Sequence, residues 1–285
     1  MLKPAYLFRQ VTRRLPLSSG LWVKTDLLKV LVQRELIARY KGSLLGNFWT
    51  LINQLTQLLI YTYVFSIVLK VKLGQQTDIH GALQGSNLGF ALWLFAGLIS
   101  WNAFVSGLIP ATTSVVNQPN LVKKVVFPLT LLPLVPTVAA FVDSSIGLVV
   151  LIAVLGIFTQ TIHVTLLLLP LIWIPQLMLT AGLAYLTAGL TVFVRDIPQS
   201  IGILLNFAFY LTPIMYPIDL IPQGFQNWIR WNPFSVIAEI YRDLVLWGQV
   251  QHSAEWIYLW IVAAVIFGLG SWVYRRLTPA FADVL

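Results

Sequence analysis

Cysteine is absent from this 285-residue chain, which excludes disulfides, thiolate metal sites and thiol nucleophiles and leaves the redox compartment unreadable. Charge is scarce. Asp, Glu, Lys and Arg make up 10% of the residues, against roughly 25% in a soluble domain. The motifs of common catalytic sites are missing as well. No Gly-x-x-x-x-Gly-Lys-Ser/Thr phosphate loop occurs, so no ATPase activity of that kind is expected of this polypeptide, and no cofactor of its own. Nor is there a nucleophile elbow, a His-Glu-x-x-His motif, or the Asp-x-Asp pair of a metal-dependent glycosyltransferase. The three histidines, His80, His163 and His252, lack metal-ligand or triad spacing and are expected in solvated loops. Catalytic residues and metal sites are therefore expected to be none. Met1 to Gly20 holds Lys3, Arg9, Arg13 and Arg14 but no apolar core, so no cleavable signal peptide is expected. The inverted repeats of many secondary transporters are not evident.

What fills the chain instead is apolar sequence: 58% of residues are hydrophobic and the mean hydropathy is +0.81. That composition belongs to an all-α integral membrane protein. A helix needs about 20 apolar residues to cross the hydrocarbon core. Six runs qualify: Phe48 to Leu69, Leu88 to Ile109, Leu129 to Phe158, Val164 to Val194, Ile201 to Tyr216 and Trp256 to Tyr274. The third and fourth are long enough to tilt or kink, with Pro133, Pro136, Pro170 and Pro175 as plausible kink points. Fourteen of the 18 Lys and Arg residues fall on one side of this arrangement, nine of them before the first span. By the positive-inside rule both termini are expected in the cytoplasm. The same rule accounts for the net charge of +8, so no nucleic-acid partner is expected. The single domain then divides into a cytoplasmic interface segment (1–47), six spans (48–274) with an external segment (217–255) between the last two, and a cytoplasmic tail (275–285).

Four polar or interrupted segments stand out. Before the first span, Leu27, Leu28, Leu31 and Val32 share one helical arc opposite Asp26, Lys29 and Gln33, the pattern of a helix lying in the membrane interface. Glu35 and Arg39 break that pattern by standing within the apolar arc at i,i+4. They read either as a local ion pair with generic attraction to anionic lipid, or as a docking surface for a cytoplasmic partner or lipid headgroup. Gly42 and Gly46 permit a sharp turn into the bilayer. The second segment, Ala111 to Pro128, can hold a short helix starting at Pro119, serving as a topological anchor or a contact surface. Arg195-Asp196 reads as a structural ion pair with another loop. The fourth, Pro217 to Glu255, is too apolar for a solvated loop and too interrupted for a span. It predicts two short helices broken at Asn232-Pro233, forming an aromatic belt or a gate of rings. Asp143, in the third span, is the only acid well inside an apolar run. It reads equally as a polar contact satisfied by Ser144 and Ser145 or as part of a transport path.

Taken in order, several motifs resemble one family. They are Arg34-Glu35-Leu36-x-x-Arg39-Tyr40-Lys41-x-Ser43-x-Leu45-Gly46, Asn120-Leu121-Val122-Lys123-Lys124-Val125-x-Phe127-Pro128, Phe193-x-Arg195-Asp196-Ile197, Thr212-Pro213-Ile214-x-Tyr216, Asn232-Pro233 before an Arg242-containing helix, and the tail Phe281-Ala282-Asp283-Val284-Leu285. The set is similar to the permease subunits of type-2 ABC exporters for polysaccharides and polyol phosphates, such as O-antigen, capsule and teichoic acid. The resemblance implies a homodimer of six-span subunits with two separate nucleotide-binding ATPase subunits that carry ATP and Mg. It further implies an interface helix over Lys24 to Lys41, a coupling helix around Asn120 to Phe127 and external gate helices over Pro217 to Trp247. A lipid-linked glycan would enter from the membrane lipid beside the interface helix and pass along an aromatic-lined channel between the subunits. Carried onto this chain, Arg34, Arg39 and Lys41 become headgroup candidates, and Trp49, Tyr61, Tyr63, Trp93, Trp101, Phe104, Tyr210 and Tyr216 channel-lining candidates. Phe225, Trp228, Trp231 and Phe234 become gate candidates, and Glu35, Asn120, Leu121, Lys123, Lys124 and Phe127 coupling candidates.

Two rival readings remain. A type-2 exporter of drugs or small lipids would not need the long N-terminal segment or the aromatic external stretch. A membrane-embedded glycosyl- or acyltransferase would need an acid or base near the membrane surface, and Asp143 looks too deep and unpartnered for that.

Overall fold

The computed structural model describes residues 19–39, 41–46, 48–69, 87–124, 127–160 and 162–285. His80, Tyr40, Lys70, Lys72 and the cations before residue 19 lie outside them. The described residues are helical, with no strand among them: α1 (Ser19–Arg39), α2 (Phe48–Tyr61, continued by a π-helical stretch Thr62–Val68), α3 (Asn87–Thr112), α4 (Pro119–Lys124), α5 (Leu131–Thr159), α6 (Leu169–Thr191, led in by a 3-10 turn Val164–Leu168), α7 (Ile197–Leu211), α8 (Gln223–Arg230), α9 (Pro233–Arg242, continued by a π-helical turn Asp243–Trp247), α10 (Ser253–Leu277) and α11 (Phe281–Val284).

Among the described residues, four helical stretches can cross a membrane by length and composition: Leu88–Thr112, Leu131–Thr159, Val164–Thr191 and Ser253–Val284. The expected first and fifth spans are shorter or more polar. α2 carries Asn53, Gln54 and Gln57, and α7 has only 15 residues, about 22 Å of helix. α7 begins earlier than expected, at Ile197, and stops at Thr212-Pro213 because Pro213 forces the residue before it out of the helical region. Pro133 and Pro170 fall in the first turns of α5 and α6, where a missing N–H is no loss. Only Pro136 and Pro175, of the expected kink points, sit inside helices.

α3 is the axis of the bundle. Apolar on every side, it buries every residue from Phe90 to Trp101 against α5, α6 and α9. α6 and α10 pack side by side through Gly182 and Gly270: a Cβ on Gly182 would stand 2.6 Å from the Ile266 carbonyl oxygen. Small residues that bring backbones together are the common device for helix association in lipid.

The bundle has two distinct ends. At the basal end a second core joins Val115, Leu132, Tyr185, Val192, Tyr274 and Phe281. Tyr185 and Tyr274 there donate hydrogen bonds to the carbonyls of Thr130 and Leu129, at 3.0 Å and 2.9 Å. The C-terminal α11 buries Phe281 completely and packs on α4. The apical end carries α8, α9, residues 160 and 162–163, and the loop at 248–252.

Candidate functional site

At the basal half, α1 packs along α5. Its apolar arc turns inward with Val32 buried, while Asp26, Lys29 and Gln33 are exposed. Glu35 and Arg39 share the inward face for a reason the helix alone does not contain. Arg39 Nη1 donates to Asp143 Oδ2 at 2.5 Å, with Glu35 Oε1 at 3.9 Å on its other side. Asp143 is therefore partnered by Arg39, not by its serine neighbours. Ser145 donates instead to the Val142 carbonyl. Along the 29-residue α5, about 43 Å long, Asp143 sits 12 residues from the basal end and 16 from the apical end, about 18 Å and 24 Å. Beyond Arg39 the chain turns sharply, with Gly42 at φ +87° and Gly46 at φ +51°, backbone angles that only glycine adopts freely. Trp49 Nε1 closes the turn by donating to Ser43 Oγ at 2.7 Å.

At the apical end a single side chain organises the hairpin. Arg242 is wholly buried, its guanidinium 3.5 Å from the centre of the Trp93 ring. It donates to the carbonyls of Trp93 (3.3 Å), Pro213 (3.1 Å) and Ile214 (3.0 Å), and to Glu239 Oε1 at 2.6 Å. Helix α7 breaks at Thr212-Pro213, which leaves the buried Pro213 and Ile214 carbonyls without helical donors, and Arg242 supplies them. Asn232 caps α9 by accepting from the Phe234 N–H at 3.1 Å, so the break expected at Asn232-Pro233 is where the two short helices part. Two more pairs tie the hairpin to the start of α10: Arg230 Nη2 to Glu255 Oε1 at 2.7 Å, and His252 Nδ1 to Asp243 Oδ2 at 2.5 Å. The bond to Asp243 raises the pKa of His252 above its ordinary value. His252 is therefore half-buried and paired, not the solvated loop residue expected. Between these pairs lies a cavity of about 490 Å³.

An ABC-2 type transporter family model matches residues 26–246. The chain belongs to that family. It is 28% identical over 261 residues to the O-antigen export system permease protein RfbA of Klebsiella pneumoniae, covering 91% of this chain and 95% of that one. It is 26% identical to the RfbA permease of Myxococcus xanthus, covering 90% and 94%. With the polysialic acid transport protein KpsM of Escherichia coli it shares 24% identity over 266 residues, 90% and 95% of the two chains.

Within this ABC-2 fold the candidate residues separate into groups. Arg34 and Lys41 are exposed near the turn, whereas Arg39 is held by Asp143. α4 starts at Pro119 as expected, with Asn120 and Lys123 exposed and Leu121 and Phe127 half-buried against the basal core. The Lys124 side chain lies outside the described residues. Arg195 and Asp196 are both exposed, and the expected ion pair with another loop does not occur among the described residues.

The aromatic candidates divide most sharply. Trp93, Trp101 and Phe104 are buried inside the subunit and cannot line a channel in this arrangement. Phe234 joins them: its ring is 4.4 Å from Phe104 and 5.5 Å from Trp101, so it anchors α9 instead of standing free as a gate. Because α3 is apolar all round, its sequence carried no mark of which face turns inward. Trp49, Tyr63 and Tyr210 remain exposed, as do Phe225, Trp228 and Trp231 on the hairpin. Tyr61 is half-buried against Phe65, and Tyr216 donates to the Tyr210 carbonyl at 2.7 Å. Sequence reasoning named Arg242 within a motif and among the external cations but gave it no role. An arginine three residues after Glu239 in an otherwise apolar helix was the available signal.

Proposed function

We propose that this chain is the membrane subunit of an ATP-driven exporter that moves lipid-linked polysaccharide across the bacterial inner membrane, with ATP hydrolysed by separate subunits. The observation that carries this reading is end-to-end similarity to export permeases for O-antigen and polysialic acid, over nine-tenths of each chain. In this reading the chain crosses the membrane six times, α2 and α7 being the two weaker passes. The basal end is cytoplasmic, with both termini there, and two copies form the translocating unit beside two ATPase subunits.

The geometry supports a division of labour between the ends. α4 presents Asn120 and Lys123 on a helix braced from behind by the basal core, which suits transmission of force from an ATPase subunit. α1 and the glycine turn leave Arg34 and Lys41 open to an anionic headgroup. The apical hairpin, pinned by Arg242, closes the far end, with Phe225 and Trp228 as its free rings and Trp231 set edge-on against Tyr258. Aromatic faces suit this task because they cover the apolar faces of sugars without demanding one hydrogen-bond pattern.

The decisive experiment purifies the chain alone and with the ATPase encoded beside it, and reconstitutes both into liposomes with the lipid-linked glycan of the same cell. ATP-dependent movement of glycan into a glycosidase-protected compartment is expected only for the two-protein preparation. Strong ATP hydrolysis by this chain alone, or unimpaired surface polysaccharide in cells deleted for it, overturns the reading.

A further inference from the structure

The apical cavity is built mostly from charges that are already matched. Among its lining residues Glu239 is paired with Arg242, Asp243 with His252 and Glu255 with Arg230. Only the exposed Asp219 makes no ion pair among the described residues. A charged ligand would find no large uncompensated field there. No cluster of three His, Cys, Asp or Glu that could hold a metal ion occurs among the described residues. An apolar ligand would strand the polar rim without partners, at a cost for each group.

One lining atom is unfinished. Ser235 is 2% exposed, and its Oγ has no hydrogen-bond partner. Buried hydroxyls are almost always satisfied, so an orphan on a cavity wall marks a position a ligand atom would occupy. The Asn227 side chain, exposed across the same cavity, also makes no hydrogen bond among the described residues. The half-buried Trp247 indole also lines the cavity, whereas Trp93 borders it with its ring face covered by Arg242. Free hydroxyl and amide groups, carboxylates that are paired except for Asp219, and the Trp247 indole form a polar, largely charge-matched site with an apolar patch. That combination fits a polyhydroxylated ring, which offers donors and acceptors around its edge and C–H groups on its faces. The volume falls within the usual range for small-molecule pockets.

We propose that this cavity is a saccharide-binding subsite within each subunit, taking one or a few sugar units of the emerging chain at the apical face. The inference rests on the polysaccharide-export reading and names a place where the exported glycan is held after crossing. It gives Ser235 and Asn227 the role of direct contacts, and the three ion pairs that of a rigid frame.

The probe is a set of di- to tetrasaccharides released by acid from the producing cell's own surface polysaccharide. Their binding to the permease–ATPase complex in nanodiscs is followed by saturation-transfer NMR titration. Ser235→Ala and Asn227→Ala are each expected to weaken binding about three- to tenfold, the loss of one hydrogen bond. Thermal unfolding of Ser235→Ala should not shift downward, since its hydroxyl has no partner in the free protein. A merely structural serine would leave binding untouched. Fragments that bind wild type and both variants equally, or do not bind at all, overturn the subsite. Export measured on the same preparations separates the two failures: transport without fragment binding removes only the subsite, whereas fragment binding without transport removes the export reading.

Discussion

At the residue scale the ion pairs decide which parts of this protein are held together. Arg242 shows why a buried arginine is tolerated in so apolar a chain: two of its contacts, the Pro213 and Ile214 carbonyls, lie at a broken helix that would otherwise leave them bare. The Arg39–Asp143 pair differs, because both side chains keep partial exposure, 23% and 18%. It joins α1 to α5 across 104 residues of sequence. Removing one partner leaves a half-buried charge against an apolar helix, which costs more than the intact pair contributes. Arg39→Ala and Asp143→Asn should therefore each reduce polysaccharide export by at least about tenfold. The exchange Arg39→Asp with Asp143→Arg should restore a substantial part of it. Surface polysaccharide on intact cells, with membrane levels of each variant checked by immunoblot, reads the outcome. If the exchange stays as inactive as either single variant, Arg39 serves something other than Asp143.

At the element scale the short helix α4 has six residues, and its shape cannot come from propensity. Pro119 starts it, and its position comes from the basal core beneath. Leu121, Val122 and Phe127 pack on that core, and the C-terminal helix α11 lies against it, with Phe281 fully buried. Lys123→Glu with Lys124→Glu should therefore uncouple transport from ATP hydrolysis while leaving insertion intact, since nine cations still precede the first apolar run. The check is ATPase activity stimulated by the lipid-linked substrate, lost in the variant, alongside normal abundance of the complex. A misinserted or degraded protein that keeps stimulated ATPase activity in the surviving fraction would make these lysines topological anchors only. Much at this scale was legible in the sequence. Long apolar runs, the Gly42–Gly46 turn, the helix at Pro119 and the break at Asn232-Pro233 all follow from local chemistry. Which aromatic rings turn inward was not legible, because α3 offers no polar face to orient it. The partner of Asp143 was hidden for another reason: it lies on a separate helix, and nothing local to α5 points to it.

At the scale of the whole molecule, the subunit leaves polar groups on surfaces that lipid alone would serve poorly. In α7 only Leu205 is buried, while Ile203, Leu204, Phe207 and Tyr210 are exposed. Asn206, in the middle of that apolar face, is exposed and its side chain makes no hydrogen bond among the described residues. Asn53 is likewise exposed on α2. An amide facing hydrocarbon gains from a hydrogen-bonding partner on another helix, by about 0.5–2 kcal/mol in membranes. A second copy of the chain would supply one, and α7 is too short to span the bilayer comfortably without a neighbour. The proposed homodimer therefore places α7 at its seam. The natural absence of cysteine gives a clean background for testing this. Phe207→Cys should yield an oxidant-induced covalent dimer in native membranes, whereas Ile257→Cys, exposed on α10 well away from α7, should not. Adding Asn206→Leu to Phe207→Cys should lower the dimer yield several-fold at the same expression level. Equal crosslinking from both cysteine positions would reflect random collision in the bilayer, and its absence at Phe207 would move the seam away from α7.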